Sequence, residues 1–202
     1  MNKKKTDIEK YCDCMQEIKY RLTLIRSLLL NQISLGSEGF NVELIFLQLR
    51  KILEIIAFSS IVANKDKYEA AYKSFASHWN ATYMLKDLER VNPDFYPKPV
   101  FIKNVGENGE KNLDFLKQGF ITKNEFLKLY EICGRVLHAT NPYSTKGTKI
   151  DIKYTVNQWL DRIEKLLDFH RAKMIGTTSG WLVVMNYETD GKVHAFPFEA
   201  LN

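Results

Sequence analysis

Residues 92–119, NPDFYPKPVFIKNVGENGEKNLDFLKQG, interrupt a chain that is otherwise patterned for helices. Pro93, Pro97 and Pro99 each lack a backbone donor and push the preceding residue toward extended backbone, so no helix runs through the first half of this stretch. In the second half, Asn104-Val105-Gly106-Glu107-Asn108-Gly109 is turn-forming. Read as one long loop, the stretch contributes no element, and the fold is decided by the helical segments on either side of it.

Upstream, Ile8, Tyr11, Met15, Ile18, Leu22, Ile25 and Leu29 recur at alternating threes and fours, one stripe of a helix from Asp7 to about Ile33. Gly36 and Gly39 end it. The segment from Val42 to about Asn64 is apolar around most of its circumference, apart from a line through Glu43, Arg50 and Glu54 with Gln48 and Lys51 beside it, which places it centrally. A third helix is expected from Lys67 to about Arg90, with Tyr68, Tyr72, Phe75, Trp79 and Tyr83 as a core-facing aromatic side.

Downstream, Thr122 followed by Glu125 is a capping box that opens a helix from Lys123 to about Ala139, and Asn141-Pro142 closes it. A fifth helix is expected from about Asp151 to Lys173, with Val156, Trp159, Ile163 and Leu166 inward. Two alternating segments, Trp181 to Tyr187 and Lys192 to Phe198, flank Asp190-Gly191 and read as a β-hairpin. The expectation is therefore a mainly α fold: a single bundle of about five helices over residues 1–176, with a C-terminal hairpin appendage over 177–202. Since an isolated hairpin is marginal in water, it should pack on the bundle or pair with a second copy.

Composition agrees with a folded chain, because 45% hydrophobic and 26% charged residues exclude wholesale disorder and low-complexity character. The net charge of +5 is modest, and residues 1–26 and 144–176 each hold seven basic and four acidic side chains, so both ends are mildly basic. Cys12, Cys14 and Cys133 form an odd set without metal-site spacing. Met1-Asn2-Lys3-Lys4-Lys5 runs into Thr6-Asp7-Ile8-Glu9 rather than an apolar stretch, and the apolar run around Ile52 to Ile61 is too short and polar to span a bilayer. A cytoplasmic protein without a membrane partner is the expectation.

Phosphate-binding glycine loops, His-Glu-x-x-His and a serine elbow are absent, and His78, His138, His170 and His194 have no ligand spacing between any two, so no cofactor and no metal is expected. One stretch, Tyr130 to Tyr143, carries a site-like pattern. Arg135 and His138 are three apart on neighbouring faces near the carboxyl end of their helix, where the unpaired carbonyls favour imidazolium. Such a histidine beside an arginine suits metal-free RNA cleavage, the imidazole exchanging a proton with the 2′-hydroxyl and the guanidinium offsetting charge on the phosphorane. The alternative is a histidine that merely caps carbonyls at a core edge. Asn141 and Tyr143, in the same stretch, are further candidates. Arg50 and Glu54, one turn apart, are candidates too, or a solvent-exposed pair.

A strongly apolar helix carrying Leu49-Arg50-Lys51-Ile52-Leu53-Glu54, followed by one ending in Leu137-His138-Ala139, resembles the HEPN superfamily (higher eukaryote and prokaryote nucleotide-binding domains) over about residues 7–173. The resemblance implies a compact helical bundle, commonly dimeric, in which many members are metal-independent ribonucleases of toxin and phage-defence systems and others only bind. Catalytic members place Arg four to six residues before His, often with a polar residue after the Arg. Here the interval is three and Val136 follows, with Arg135 the positional match and Arg50 a substitute from the neighbouring helix. Two readings follow: a non-catalytic interaction module that binds a protein or an RNA or nucleotide partner, and a homodimeric ribonuclease using His138 with Arg135 or Arg50.

Overall fold

A computed structural model describes residues 5–63, 85, 87–90, 92–106, 109, 111–139, 153–174 and 179–199. Helix α1 (Asp7–Leu29) starts at a capping box in which Thr6 accepts from the Glu9 N–H and Glu9 reaches back to Thr6. Helix α2 (Glu38–Val62) follows, then strands β1 (Lys98–Val105) and β2 (Lys111–Phe115). Helix α3 (Lys123–Leu137) begins at the expected Thr122–Glu125 box, and α4 (Val156–Leu167) at a third box, Thr155 with Gln158. Strands β3 (Phe169–Lys173), β4 (Ser179–Val184) and β5 (His194–Glu199) complete the chain.

All five strands join one antiparallel sheet in the order β2-β1-β3-β4-β5. The fold is therefore mixed α and β, which corrects the expected helical bundle with a small hairpin. Two misreadings combine in that correction. The 92–119 stretch is not a structureless loop, since it holds β1 and β2. The last helix stops at Leu167, and Phe169–Lys173 forms the central strand on which the C-terminal hairpin is built. Of the helix expected over 67–90, only residues 85 and 87–90 are described, and these are helical; its aromatic residues and His78 lie outside the described residues.

The helices cover one face of the sheet. On α1, Tyr11, Met15, Ile18, Leu22 and Ile25 are buried, and they meet the α2 stripe of Leu49, Ile52, Leu53 and Ile56 in one continuous core. Burial of such side chains, at about 25 cal/mol per Å² of apolar surface, is the main force holding the layers together. The sheet contributes His170, Ala172, Trp181 and Val183, which register places on a common face. Tyr11 docks there, with its ring 5.5 Å edge-on to Trp181 and its hydroxyl 2.8 Å from His170 Nε2.

His170 is a satisfied buried histidine, on a strand where a helix was expected. Its Nδ1 lies 2.7 Å from the Leu167 carbonyl, which only accepts, so Nδ1 carries the proton and Nε2 accepts from Tyr11. Burial holds its pKa down at about 4. Helices α3 and α4 are joined by a polar knot in which Arg162 donates to the Phe120 carbonyl at 2.8 Å and to Glu125 at 2.6 Å. Burial opposes the Glu125 charge, but the Thr122 N–H, Arg162 and Tyr154 prevail and hold its pKa at about 2.

Candidate functional site

Helix α3 carries Arg135 and His138 at its carboxyl end. His138 is the cap residue itself: its backbone is extended and its N–H donates to the Gly134 carbonyl at 3.1 Å. The imidazole and the Arg135 side chain are both exposed, and with Glu131 and Gly134 they line one open depression. The ring is thus reachable by solvent and lies beside a guanidinium-bearing residue, as proton-exchange chemistry requires. It is not enclosed, so water is not excluded from it.

Arg50 approaches the same helix from α2. A Cβ built on Gly134 would stand 3.9 Å from Arg50 Nη1, which puts this guanidinium against the last turn before His138. Its hydrogen bonds are directed elsewhere. Arg50 Nε donates to Glu54 at 3.1 Å, Nη2 donates to the Tyr130 hydroxyl at 2.9 Å, and that hydroxyl donates to Glu54 at 3.2 Å. The guanidinium also sits 4.7 Å over the Tyr130 ring. The exposed-pair reading of Arg50 and Glu54 is thereby replaced by a half-buried triad that satisfies itself. Cys133 on α3 is buried beside it, and burial pushes its thiol up to about 12 although Arg50 pulls the other way, so it serves as a small core residue.

The structure brings Arg135, His138 and, behind Gly134, Arg50 to one end of α3, whereas Glu54 is turned to Arg50 and Tyr130. Asn141 and Tyr143 lie outside the described residues. Among the described residues there is no cluster of three or more His, Cys, Asp or Glu able to hold a metal ion. Nor is any helix among them long and apolar enough to cross a membrane.

A separate cleft of about 730 Å³ opens between α1, α4 and β1, with Phe101, Leu116 and Met185 among its walls. Two of its cations are already engaged. Arg26 binds Glu164 at 2.6 Å and Asp161 at 3.1 Å, and Lys19 donates to the Met185 and Gly191 carbonyls.

Sequence reasoning missed the far side of the sheet. Register places Phe115, Val100, Phe169, Arg171, Leu182, Phe196 and Phe198 on the face opposite the helices. The Arg171 guanidinium stands 4.9 Å over the Phe198 ring and 5.7 Å from that of Phe115. The available signal was the alternation of Phe169, Arg171 and Lys173 against His170 and Ala172, a period of two that a helical reading discards. Compared with known protein families, curated proteins and solved structures, the chain finds no match.

Proposed function

We propose that this chain is a non-catalytic interaction module, the role the HEPN resemblance allows to members that bind without cleaving. One observation carries the reading: Arg50, the candidate that reaches the end of α3 from the neighbouring helix, commits its Nε and Nη2 to Glu54 and Tyr130 inside the fold. Redirecting it to a phosphorane would break a half-buried ion pair. What is left at the end of α3 is an exposed Arg135 and His138 over an open depression, a surface for contact with a protein, RNA or nucleotide partner. A cytoplasmic setting in a prokaryotic defence or toxin–antitoxin type system rests on the resemblance alone.

The second reading, a metal-independent endoribonuclease acting as a homodimer, is favoured by the accessibility of the His138 ring beside Arg135. Two such depressions facing each other would form the groove that one chain lacks. Incubation of the purified chain with labelled RNA in chelator separates the two. The module reading expects intact RNA at all enzyme concentrations, and cleavage abolished by His138→Ala overturns it.

A further inference from the structure

We propose that the sheet face turned away from the helices is a platform for single-stranded nucleic acid, with bases stacking on its exposed rings and a phosphate drawn to Arg171. The inference rests on the binding-module reading but uses a different surface from the end of α3.

The first support is the chemistry displayed. An antiparallel sheet with one covered face normally presents polar residues to water on the other. This sheet instead leaves Phe115 (44% exposed) and Phe196 (41%) open, with Ile102 (44%), Leu113 (36%) and Val105 (59%) extending the apolar surface. Along β5 the rings form a row: His194 stacks on Phe196 at 6.3 Å with planes 17° apart, and Tyr187 lies 4.4 Å from His194. Aromatic rings open to solvent accept any base, because every base has a π-face.

The second support is charge. Arg171 lies on the central strand, its guanidinium near two aromatic rings, and among the described residues it makes neither an ion pair nor a hydrogen bond. Its Nε is fully buried and unpartnered. Such a cation is costly to hold without a counter-charge, and a phosphate oxygen is the partner its fork geometry fits. Register adds Lys98, Lys111 and Lys173 to the same face. Asp94 at its margin binds both Lys98 and Lys173, which leaves the face positive.

The third support is backbone design. Between Ile102 and Asn104 the β1 register shifts by one residue against β2. Without that bulge, Val105 would point to the helix side with Phe101; with it, Val105 joins Ile102, opposite Lys111. At β4, a Cβ on Gly180 would lie 2.8 Å from the Phe198 ring, so the absence of a side chain lets that ring lie down on the sheet under Arg171. Five strands at about 4.8 Å span about 20 Å, room for two or three stacked bases.

The test uses fluorescence anisotropy of short labelled oligouridylate and oligodeoxythymidylate with the whole chain, each sample then run on a denaturing gel. Phe196→Ala and Phe115→Ala should each weaken binding roughly 5- to 150-fold, the range for losing one stacking partner. Arg171→Gln should weaken it and lower the salt slope by about 0.7. Tyr20→Ala, on a still more exposed ring of the helical layer (68%), should change nothing. Thermal melts of each variant confirm that the fold persists. Absence of binding to both oligonucleotides overturns the platform and leaves the module reading intact. Affinity unchanged in all three face variants also overturns it, as does self-association that these variants abolish without any oligonucleotide binding, which would make the face an interface between copies. Cut oligonucleotide on the gel overturns the module reading, while the variants still judge the platform.

Discussion

Gly180→Ala should cost this protein more than an ordinary replacement of a hydrogen by a methyl group. The added Cβ would stand 2.3 Å from the Ala172 carbonyl oxygen and 2.8 and 3.0 Å from two atoms of the Phe198 ring. Carbon–oxygen contacts in sheets settle near 3.3 Å, so β3 and β4 must part by about 1 Å in the middle of the sheet. Overpacking of this kind costs about 1–3 kcal/mol, and the upper end applies because the obstacle is backbone. For a chain of this size that is a fall of about 6–12 °C in melting temperature. The measurement is a thermal or urea melt of wild type, Gly180→Ala and Gly39→Ala side by side. Gly39, on the first turn of α2 with only Ser37 Oγ at 3.7 Å, should accept alanine with no loss or a gain of up to about 1 kcal/mol. Adding Phe198→Leu to Gly180→Ala removes the ring but not the carbonyl, so recovery should be partial. Full recovery, or a Gly180→Ala melt that overlays wild type, refutes the argument.

Gly134→Ala fills a helix interior where the nearest foreign atom is Arg50 Nη1 at 3.9 Å, so urea unfolding should show a gain of about 0.5–1 kcal/mol. Acid should weaken the fold through His170: its folded pKa near 4 lies below the unfolded value near 6.5, so the unfolded chain takes up the proton first. Stability then falls between pH 6.5 and 4, by about 3 kcal/mol in total, and His170→Phe should flatten that slope in melts across the window. Below about pH 4.5 a second loss sets in as Glu125 is protonated on the way down to its folded value near 2. Arg162→Met strands Glu125, which is only 13% exposed, and should lower stability by about 1–3 kcal/mol in urea at neutral pH. It should also remove part of that second acid loss, the Thr122 N–H still favouring the charged carboxylate.

Where local pattern and final environment agree, the sequence is legible. α1 and α3 follow from their apolar stripes and capping boxes, and the β4–β5 hairpin from Asp190-Gly191 between alternating residues. Strand β1 is hidden by its prolines, yet Pro99 sits where β2 has ended: its carbonyl accepts from Leu116 N–H, and the one reciprocal bond its missing N–H would make falls beyond the last residue of β2. Strand β3 is hidden by composition, since Arg171, Ala172 and Lys173 are good helix formers and only burial on alternate residues reveals the strand. His138 and Arg135 were legible as a pair because i and i+3 on a helix are neighbours. The commitment of Arg50 to Tyr130 was not, as it depends on how α2 crosses α3, eighty residues apart. The platform was least visible, being assembled from all five strands across the second half of the chain.

The strand order also sets a timetable for synthesis. About seventy residues separate Pro99 from His170, its neighbour in the sheet. At 5–20 residues per second the ribosome needs roughly 4–14 s to cover that distance. Once Phe115 has been added, and for the rest of that interval, the nascent chain carries a two-stranded ribbon with greasy side chains and no inner neighbour, a natural client for a holdase. Stalled chains ending before residue 169 should therefore crosslink to such a chaperone through β1 and β2, and released full-length chains should not.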